Sequence, residues 1–102
     1  MPPLDPEQTA AYLHQVTGWE LVEVRGISRI RRRFAFPDFA AALEFTNAVG
    51  ALAEEQQHHP RIVTQWGSVT VDIWTHVIKG LHENDFVLAA KIDQLPLMSR
   101  NM

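Results

Sequence analysis

Two segments in which apolar and polar residues alternate, each interrupted by a glycine, constrain the fold of this 102-residue chain most strongly. The alternating stretches are residues 19–25 and 27–36 around Gly26, and residues 61–66 and 69–77 around Gly67-Ser68. Alternation of this kind is typical of antiparallel strands that bury one face. The sequence therefore predicts two β-hairpins.

The first and last predicted helices begin with capping sequences. Asp5 is the predicted N-cap of the first helix, Gln8 completes a capping box, and Gly18 is the predicted stop. Before the last helix, His82 occupies the cap position and Asp85 is the matching first-turn carboxylate.

The middle helix begins after Asp38 and should end near Gln57, because the residue before Pro60 is disfavoured in the α region. Its apolar residues cover more than one face. The main stripe contains Phe39, Ala42, Leu43, Thr46, Val49, Gly50 and Ala53, and it is widened by Phe45, Ala48 and Leu52. This width is compatible with simple burial or with contact to both the sheet and a second subunit.

The element order is α-β-β-α-β-β-α, which predicts a single α+β domain over residues 1–102. The expected architecture is a four-stranded antiparallel sheet with helices on one face, and frayed ends at residues 1–4 and 96–102. Within the second strand, Arg29, Arg31 and Arg33 are predicted to form a solvated face balanced by the glutamates of the neighbouring strand. Arg32 interrupts the apolar side, so a strand edge or bulge is expected there.

The composition excludes several classes of protein. A net charge of −3 and a pI near 5.9 argue against nucleic-acid binding. No cysteine is present, so disulfides and thiolate metal sites are absent. No signal sequence and no membrane-spanning apolar run are recognisable, which leads us to expect a cytoplasmic protein without membrane contact.

Four of the five histidines lie between the carboxylates of Glu54 and Asp85, and three of them, His58, His59 and His76, are candidates for proton transfer. Glu54 precedes His58 by one helical turn and could orient its ring, while Asp85 could support His76. With His59, these residues suggest an acid–base pocket that works near neutral pH. Two alternatives remain: the adjacent histidines could interact only with the helix C-terminus, or the three rings could hold zinc.

The spacing of these residues closely resembles the signature of the pterin-4a-carbinolamine dehydratases. The shared pattern consists of Glu54-x₃-His58-His59-Pro60, Trp66, Thr75-His76, Gly80-Leu81, Asp85 and Leu88-Ala89, together with Phe34-x-Phe36-x-Asp38-Phe39. The resemblance covers the chain from about residue 19 to residue 92. It implies a side-by-side oligomer, a homodimer or homotetramer, with a metal-free site, no cofactor and a pterin as substrate.

The resemblance also implies the reaction and the residues that perform it. The family removes water from a 4a-hydroxytetrahydropterin to give the quinonoid dihydropterin, recycling the pterin after an aromatic amino-acid hydroxylase has used it. His58 and His76 are expected to act as acid and base, and His59 to position the pterin. The supporting residues would be Glu54, Gln57, Pro60, Trp74, Thr75 and Asp85.

This chain departs from the family pattern at two places. Gln57 stands where Asp or Asn is frequent, and Arg61-Ile62 replaces the acidic residue and tryptophan that often follow the proline. These changes affect the expected rate and substrate preference more than the reaction type. The rival hypothesis is a binding protein on the same fold, because the family also includes a coactivator and assembly-factor-like proteins.

Overall fold

A computed structural model of the chain describes residues 2–96, and it has the predicted element order. The elements are α1 Pro6–Leu13, β1 Glu20–Val24, β2 Ile27–Ala35, α2 Phe39–Gln56, β3 Arg61–Gln65, β4 Ser68–Ile73 and α3 Glu83–Asp93. The strands form one antiparallel sheet in the order β1-β2-β4-β3. The predicted α+β fold is therefore confirmed. Within residues 2–96, no helix has the length and apolar character needed to cross a membrane.

Helix α1 starts as predicted but ends earlier. The Asp5 side chain accepts a hydrogen bond from the Gln8 backbone at 2.8 Å, and the Gln8 side chain accepts one from the Asp5 backbone at 3.0 Å. The helix ends at Leu13, so the prediction that Gly18 stops it was wrong. A Cβ at Gly18 would lie against the guanidinium of Arg32, so a side chain there would require that group to shift.

Both ends of the chain were predicted to fray, at residues 1–4 and 96–102. The Leu4 backbone N–H donates to the Leu81 carbonyl at 2.8 Å, so the chain is tied to the fold just before α1. Of the tail predicted to fray from residue 96, only Pro96 lies within the described residues.

Both hairpins form, with one correction to a turn. Arg25 and Gly26 have φ values of 53° and 79°, the pair of positive values that suits a tight hairpin with right-handed twist. The second turn lies at Trp66-Gly67, one residue before the predicted position, because Gln65 is already paired with Ser68.

Strand β4 ends at Ile73, so the prediction that it continues to Val77 was wrong. The Thr75 N–H donates to the Gly80 carbonyl at 2.8 Å, and the Gly80 N–H donates back at 3.4 Å. These two bonds close residues 75–80 into a loop that contains a short 3-10 turn, His76–Ile78. His76 therefore lies on a tight loop beyond the sheet and not on a strand.

The core lies between the sheet and the helices. Phe45 of α2 is fully buried, with its ring centroid 4.6 Å from Phe34 and 5.1 Å from Phe36. Phe39 and Leu43 were predicted in the main apolar stripe of α2, yet they are 45% and 43% exposed. The buried face of α2 is thus rotated relative to the prediction. Its buried residues are Ala42, Phe45, Val49 and Ala53.

Of the three arginines of β2 that were predicted to form a solvated face, Arg33 is exposed, but Arg29 and Arg31 are wholly or partly buried. Asp72 of β4 is fully buried on the side of the sheet away from the core, and it accepts hydrogen bonds from Arg31 at 2.6 and 2.9 Å and from Arg29 at 3.2 Å. Arg29 itself is only 8% exposed. Burial by itself raises the pKa of Asp72, but the hydrogen bonds and charges of the two arginines outweigh it and hold that pKa below its ordinary value.

Arg32 does not mark a bulge or an edge, since β2 runs without interruption through it. Its side chain crosses to α3, where Nη1 donates to Asp93 Oδ1 at 2.9 Å. Trp19 Nε1 also donates to Asp93, at 3.0 and 3.1 Å. Burial raises the pKa of Asp93, and the contacts with Trp19 and Arg32 oppose that effect only in part.

Replacement of Asp72 by Asn should destabilise the protein at neutral pH, because it leaves Arg29 and Arg31 beside a group without charge. We expect a loss of about 2 kcal/mol, less than the roughly 3–5 kcal/mol of a fully buried ion pair, since Arg31 is one-third exposed. A lowered pKa means that the carboxylate stabilises the fold above its ordinary pKa of 3.8, and that this contribution is lost as the pH falls through the lower folded value.

Urea unfolding of wild type and Asp72→Asn between pH 3 and pH 7 tests this expectation. The difference in unfolding free energy should be constant near neutrality and shrink below about pH 4. Glu23→Gln, on the exposed part of β1, serves as the control and should have little effect. A difference between Asp72→Asn and wild type that does not change with pH would contradict the assignment.

Candidate active site

The centre of the candidate site is the carboxylate of Asp85, which is fully buried in the first turn of α3. It accepts hydrogen bonds from the His82 backbone N–H at 2.8 Å and from the Thr75 hydroxyl at 3.0 and 3.1 Å. Nε2 of His58 lies 2.5 Å from Oδ1 of the same carboxylate. Asp85 thus joins the segment after α2, the loop after β4 and the start of α3.

The histidines and carboxylates pair differently from the prediction. Glu54 was expected to orient His58, but it contacts Nε2 of His59, while His58 is paired with Asp85. The reason is the backbone of Gln57, whose φ of 54° ends the helix in the left-handed conformation. The helix ends before His58, so Glu54 and His58 do not face each other across one helical turn.

The pair of His59 and Glu54 is open to solvent. Their side chains are 60% and 73% exposed, in contrast to 17% for the side chain of His58. Gln57, which was predicted to support the site, donates from Nε2 to the Glu54 carbonyl at 2.8 Å and so caps the helix end. Pro60 follows directly and leads into β3. The two adjacent histidines consequently occupy different environments, one half-buried and one exposed.

His76 follows Thr75, and its ring lies against that of Trp74 at a centroid distance of 4.4 Å, with the two planes tilted by 33°. It was predicted to contact Asp85, which is bonded instead to Thr75 and His58. Within residues 2–96, neither ring nitrogen of His76 has a hydrogen-bond partner. Its side chain is exposed, so both nitrogens are available to a ligand.

Arg29 is a neighbour of the site that the sequence did not reveal. Its guanidinium carbon lies 3.8 Å from the centroid of the Trp74 ring. The register pairs Ile30 with Ile73, which places Arg29 opposite Trp74 across the two strands. Knowledge of this register would have been sufficient to predict the contact between Arg29 and Trp74.

The site therefore combines three imidazoles and two carboxylates with an aromatic surface. Imidazole can donate or accept a proton near neutral pH, and a paired carboxylate can hold the ring in one orientation. Among the described residues, no group of three His, Asp or Glu side chains is arranged to hold a metal ion. These groups lie at the junction of α2, α3 and the loop after β4, which makes them candidates for acid–base chemistry.

Sequence comparison identifies the family. The family model described as Pterin 4 alpha carbinolamine dehydratase matches residues 2–95. A Syntrophotalea carbinolica protein provisionally named pterin-4-alpha-carbinolamine dehydratase is 54% identical over 89 residues, 87% of this chain and 80% of the relative. A Nitrosococcus oceani protein with the same provisional name is 58% identical over 81 residues, 79% of this chain and 72% of the relative. The chain belongs to the pterin-4-alpha-carbinolamine dehydratase family.

Two solved structures resemble the fold. The crystal structure of a transcriptional coactivator/pterin dehydratase from Brucella melitensis has a TM-score of 0.79 and 31% identity, covering 89% of this chain and 95% of that one. A pterin dehydratase-like protein described as a RuBisCO assembly factor in the alpha-carboxysome has a TM-score of 0.62 and 26% identity, covering 74% of this chain and 86% of that one. The fold thus occurs in proteins described with different roles.

Replacement of Asp85 by Asn should cost about 2 kcal/mol of unfolding free energy, because an amide cannot accept hydrogen bonds at both of its polar atoms. Thr75→Val should cost about 1 kcal/mol, since it removes one donor and keeps the shape of the side chain. Urea unfolding followed by circular dichroism measures both effects. Glu55→Gln, at the exposed end of α2, is the control. Unchanged stability in Asp85→Asn would contradict the central position of this carboxylate.

Proposed function

We propose that this protein dehydrates pterin-4a-carbinolamine, a 4a-hydroxytetrahydropterin, to the quinonoid dihydropterin by histidine acid–base catalysis. The observation that carries the proposal is the Asp85 carboxylate, which links His58 directly to Thr75, the residue before His76. Groups far apart in the sequence are thereby held around one buried charge. Membership in the dehydratase family supports the same reaction.

The reaction requires one proton to be donated and another to be accepted. The C4a–O bond breaks as the departing hydroxide receives a proton and leaves as water. The N5–H bond releases its proton to a base, and its electron pair forms the N5=C4a double bond. Positioned acid–base catalysis of this kind is typically worth about 10²–10⁴-fold in rate.

His58 and His76 are suited to different halves of this exchange. If His58 accepts the proton from N5, the buried carboxylate of Asp85 compensates the positive charge that forms on the ring. Nε2 of His58 is occupied by that carboxylate, so Nδ1 is the nitrogen left for the substrate. His76 donates to the leaving hydroxide, and its exposure lets it regain a proton from water.

The remaining residues position the substrate. His59 contacts the pterin while Glu54 orients its ring, and Thr75 holds Asp85 and borders the substrate. Trp74 provides an aromatic wall for the bicyclic ring. Gln57 and Pro60 fix the chain that presents the two adjacent histidines. No step in this scheme requires a metal or a cofactor.

The proposed setting is tetrahydropterin recycling in the cytoplasm, with an aromatic amino-acid hydroxylase supplying the carbinolamine. We also propose a homodimer or homotetramer. Phe39 and Leu43 support this part, because they are large apolar side chains that lie exposed on one side of α2. A binding role without catalysis is the alternative, favoured by the assembly-factor description of one similar structure.

Purified protein should accelerate the dehydration of freshly generated 4a-hydroxytetrahydropterin, followed by the absorbance of the quinonoid product. His58→Ala and His76→Ala should each lower kcat by about 10²–10⁴-fold, because each removes a proton-transfer group. His59→Ala should act mainly on KM. The control is His14→Ala, which alters an exposed histidine just after α1.

Retention of full activity in His76→Ala would refute the proposed roles. A wild-type protein that does not accelerate dehydration would refute the enzyme and leave the binding role. Bound pterin without turnover would favour that alternative further.

Leu43→Glu should weaken association between subunits, since a charge at a buried contact loses its hydration. Size-exclusion chromatography with light scattering should report a smaller particle for this variant than for wild type. Ala11→Glu, on the exposed side of α1, is the matched control and should leave the mass unchanged. A monomeric wild-type protein at micromolar concentration would contradict the proposed oligomer.

A further inference from the structure

A second feature lies on the sheet face opposite the core, next to the candidate site. It is a hollow of about 380 Å³, which we call the arginine hollow. It lies where the β1–β2 turn approaches the end of β4. Its lining residues are Val24, Arg25, Arg29, Arg31, Arg61 and Trp74.

The arginine hollow carries an excess of positive charge. Four guanidinium groups line it, and the carboxylates close to them are Asp72, which is buried beneath, and Glu20, which is paired in register with Arg31. Arg61 approaches Asp72 only to 3.7 Å, and its side chain is 53% exposed. Two charges therefore remain uncompensated, and they lie in a concave surface where the field on an anion is strengthened.

The arginines also keep unused hydrogen-bond donors. A guanidinium has five N–H donors in a fork that matches the oxygens of a phosphate or carboxylate. Arg29 gives Asp72 a bond from Nη1, and its Nε is buried without a partner in the described part of the chain. Arg25 has no ion pair or hydrogen bond from its side chain within residues 2–96. The arginines that line the hollow consequently keep N–H donors that their bonds to Asp72 do not use.

The arginine hollow adjoins the segments that carry the candidate catalytic residues. Trp74 lines it, and the ring of Trp74 contacts that of His76 at a centroid distance of 4.4 Å. Arg61 follows Pro60, which connects it directly to His59. A substrate held by these histidines would have the hollow within reach of a side chain on its ring.

We propose that the arginine hollow binds an anionic group, a phosphate or a carboxylate, on the side chain of the pterin substrate. This inference rests on the proposed dehydratase function and specifies its substrate class. The neutral bicyclic ring would lie at the histidines, and the charged substituent would pair with Arg61, Arg25 and Arg29.

The test compares three 4a-hydroxytetrahydropterins that differ only in the side chain at C6. One carries a hydroxymethyl group, one the phosphate ester of that group, and one a carboxylate. Wild type should have the highest kcat/KM for one of the two anionic forms, and the comparison of phosphate with carboxylate identifies which. Arg61→Gln should lower kcat/KM for the preferred anion about fivefold to tenfold through KM, and change the neutral substrate less than twofold.

Arg33→Gln is the matched control. Arg33 lies on the same face of β2, is exposed and does not line the arginine hollow. It should therefore leave all three substrates unaffected. A similar loss in Arg33→Gln and Arg61→Gln would mean that only the overall charge of the face matters, and it would overturn the site.

Calorimetric titration with the stable 7,8-dihydro forms of the same pterins separates this inference from the proposed reaction. Equal kcat/KM for neutral and anionic substrates would overturn the arginine hollow and leave the dehydratase intact. Tighter binding of the anionic form without turnover of any substrate would support the hollow and refute the dehydratase. If inorganic phosphate alone binds as tightly as the phosphorylated pterin, the hollow is a general anion site and the substrate inference is wrong.

Discussion

The arrangement of the candidate site depends on one buried negative charge. Burial of a carboxylate is unfavourable unless hydrogen bonds and opposite charges compensate it. Asp85 obtains that compensation from three separate segments, through His58, Thr75 and the backbone of His82. Movement of any of these segments would remove one of the partners that compensate the carboxylate. Asp85, in the first turn of α3, therefore also fixes the positions of His58 and Thr75.

Asp72 is a second fully buried carboxylate, and it lies on the face of the sheet away from the core. There the compensation comes from side chains alone, the guanidinium groups of Arg29 and Arg31. Trp74 connects the two groups of residues, since it contacts both Arg29 and His76. The end of β4 is thus the place where the open face of the sheet meets the histidine-bearing loops.

Local signals in the sequence were sufficient for most of the fold. The caps at Asp5, Asp38 and His82 were predicted correctly because each depends on residues within one helical turn. The hairpins and the buried faces of β2 and β4 followed from alternation. The family was predicted as well, from the spacing of the histidines and of the residues around them.

The errors have a different origin, because they concern pairings and backbone conformations that apolar patterns and capping residues do not indicate. The end of β4 depends on the pairing of Thr75 with Gly80, which no local pattern indicates. The pairing of Glu54 with His59, and of His58 with Asp85, follows from the left-handed backbone of Gln57. The burial of Arg29 required the register of β2 against β4. The roles of the histidines in catalysis remain predictions.

The position of Trp74 has an optical consequence. Its indole is in contact with the guanidinium of Arg29 and the imidazole of His76, so its emission depends on the electric field in the neighbourhood of His76. Trp19, buried against Asp93, and Trp66, which is 69% exposed, lie in other surroundings. The chain therefore contains its own fluorophore at the edge of the histidine cluster, and a ring entering there would alter its brightness without any added dye.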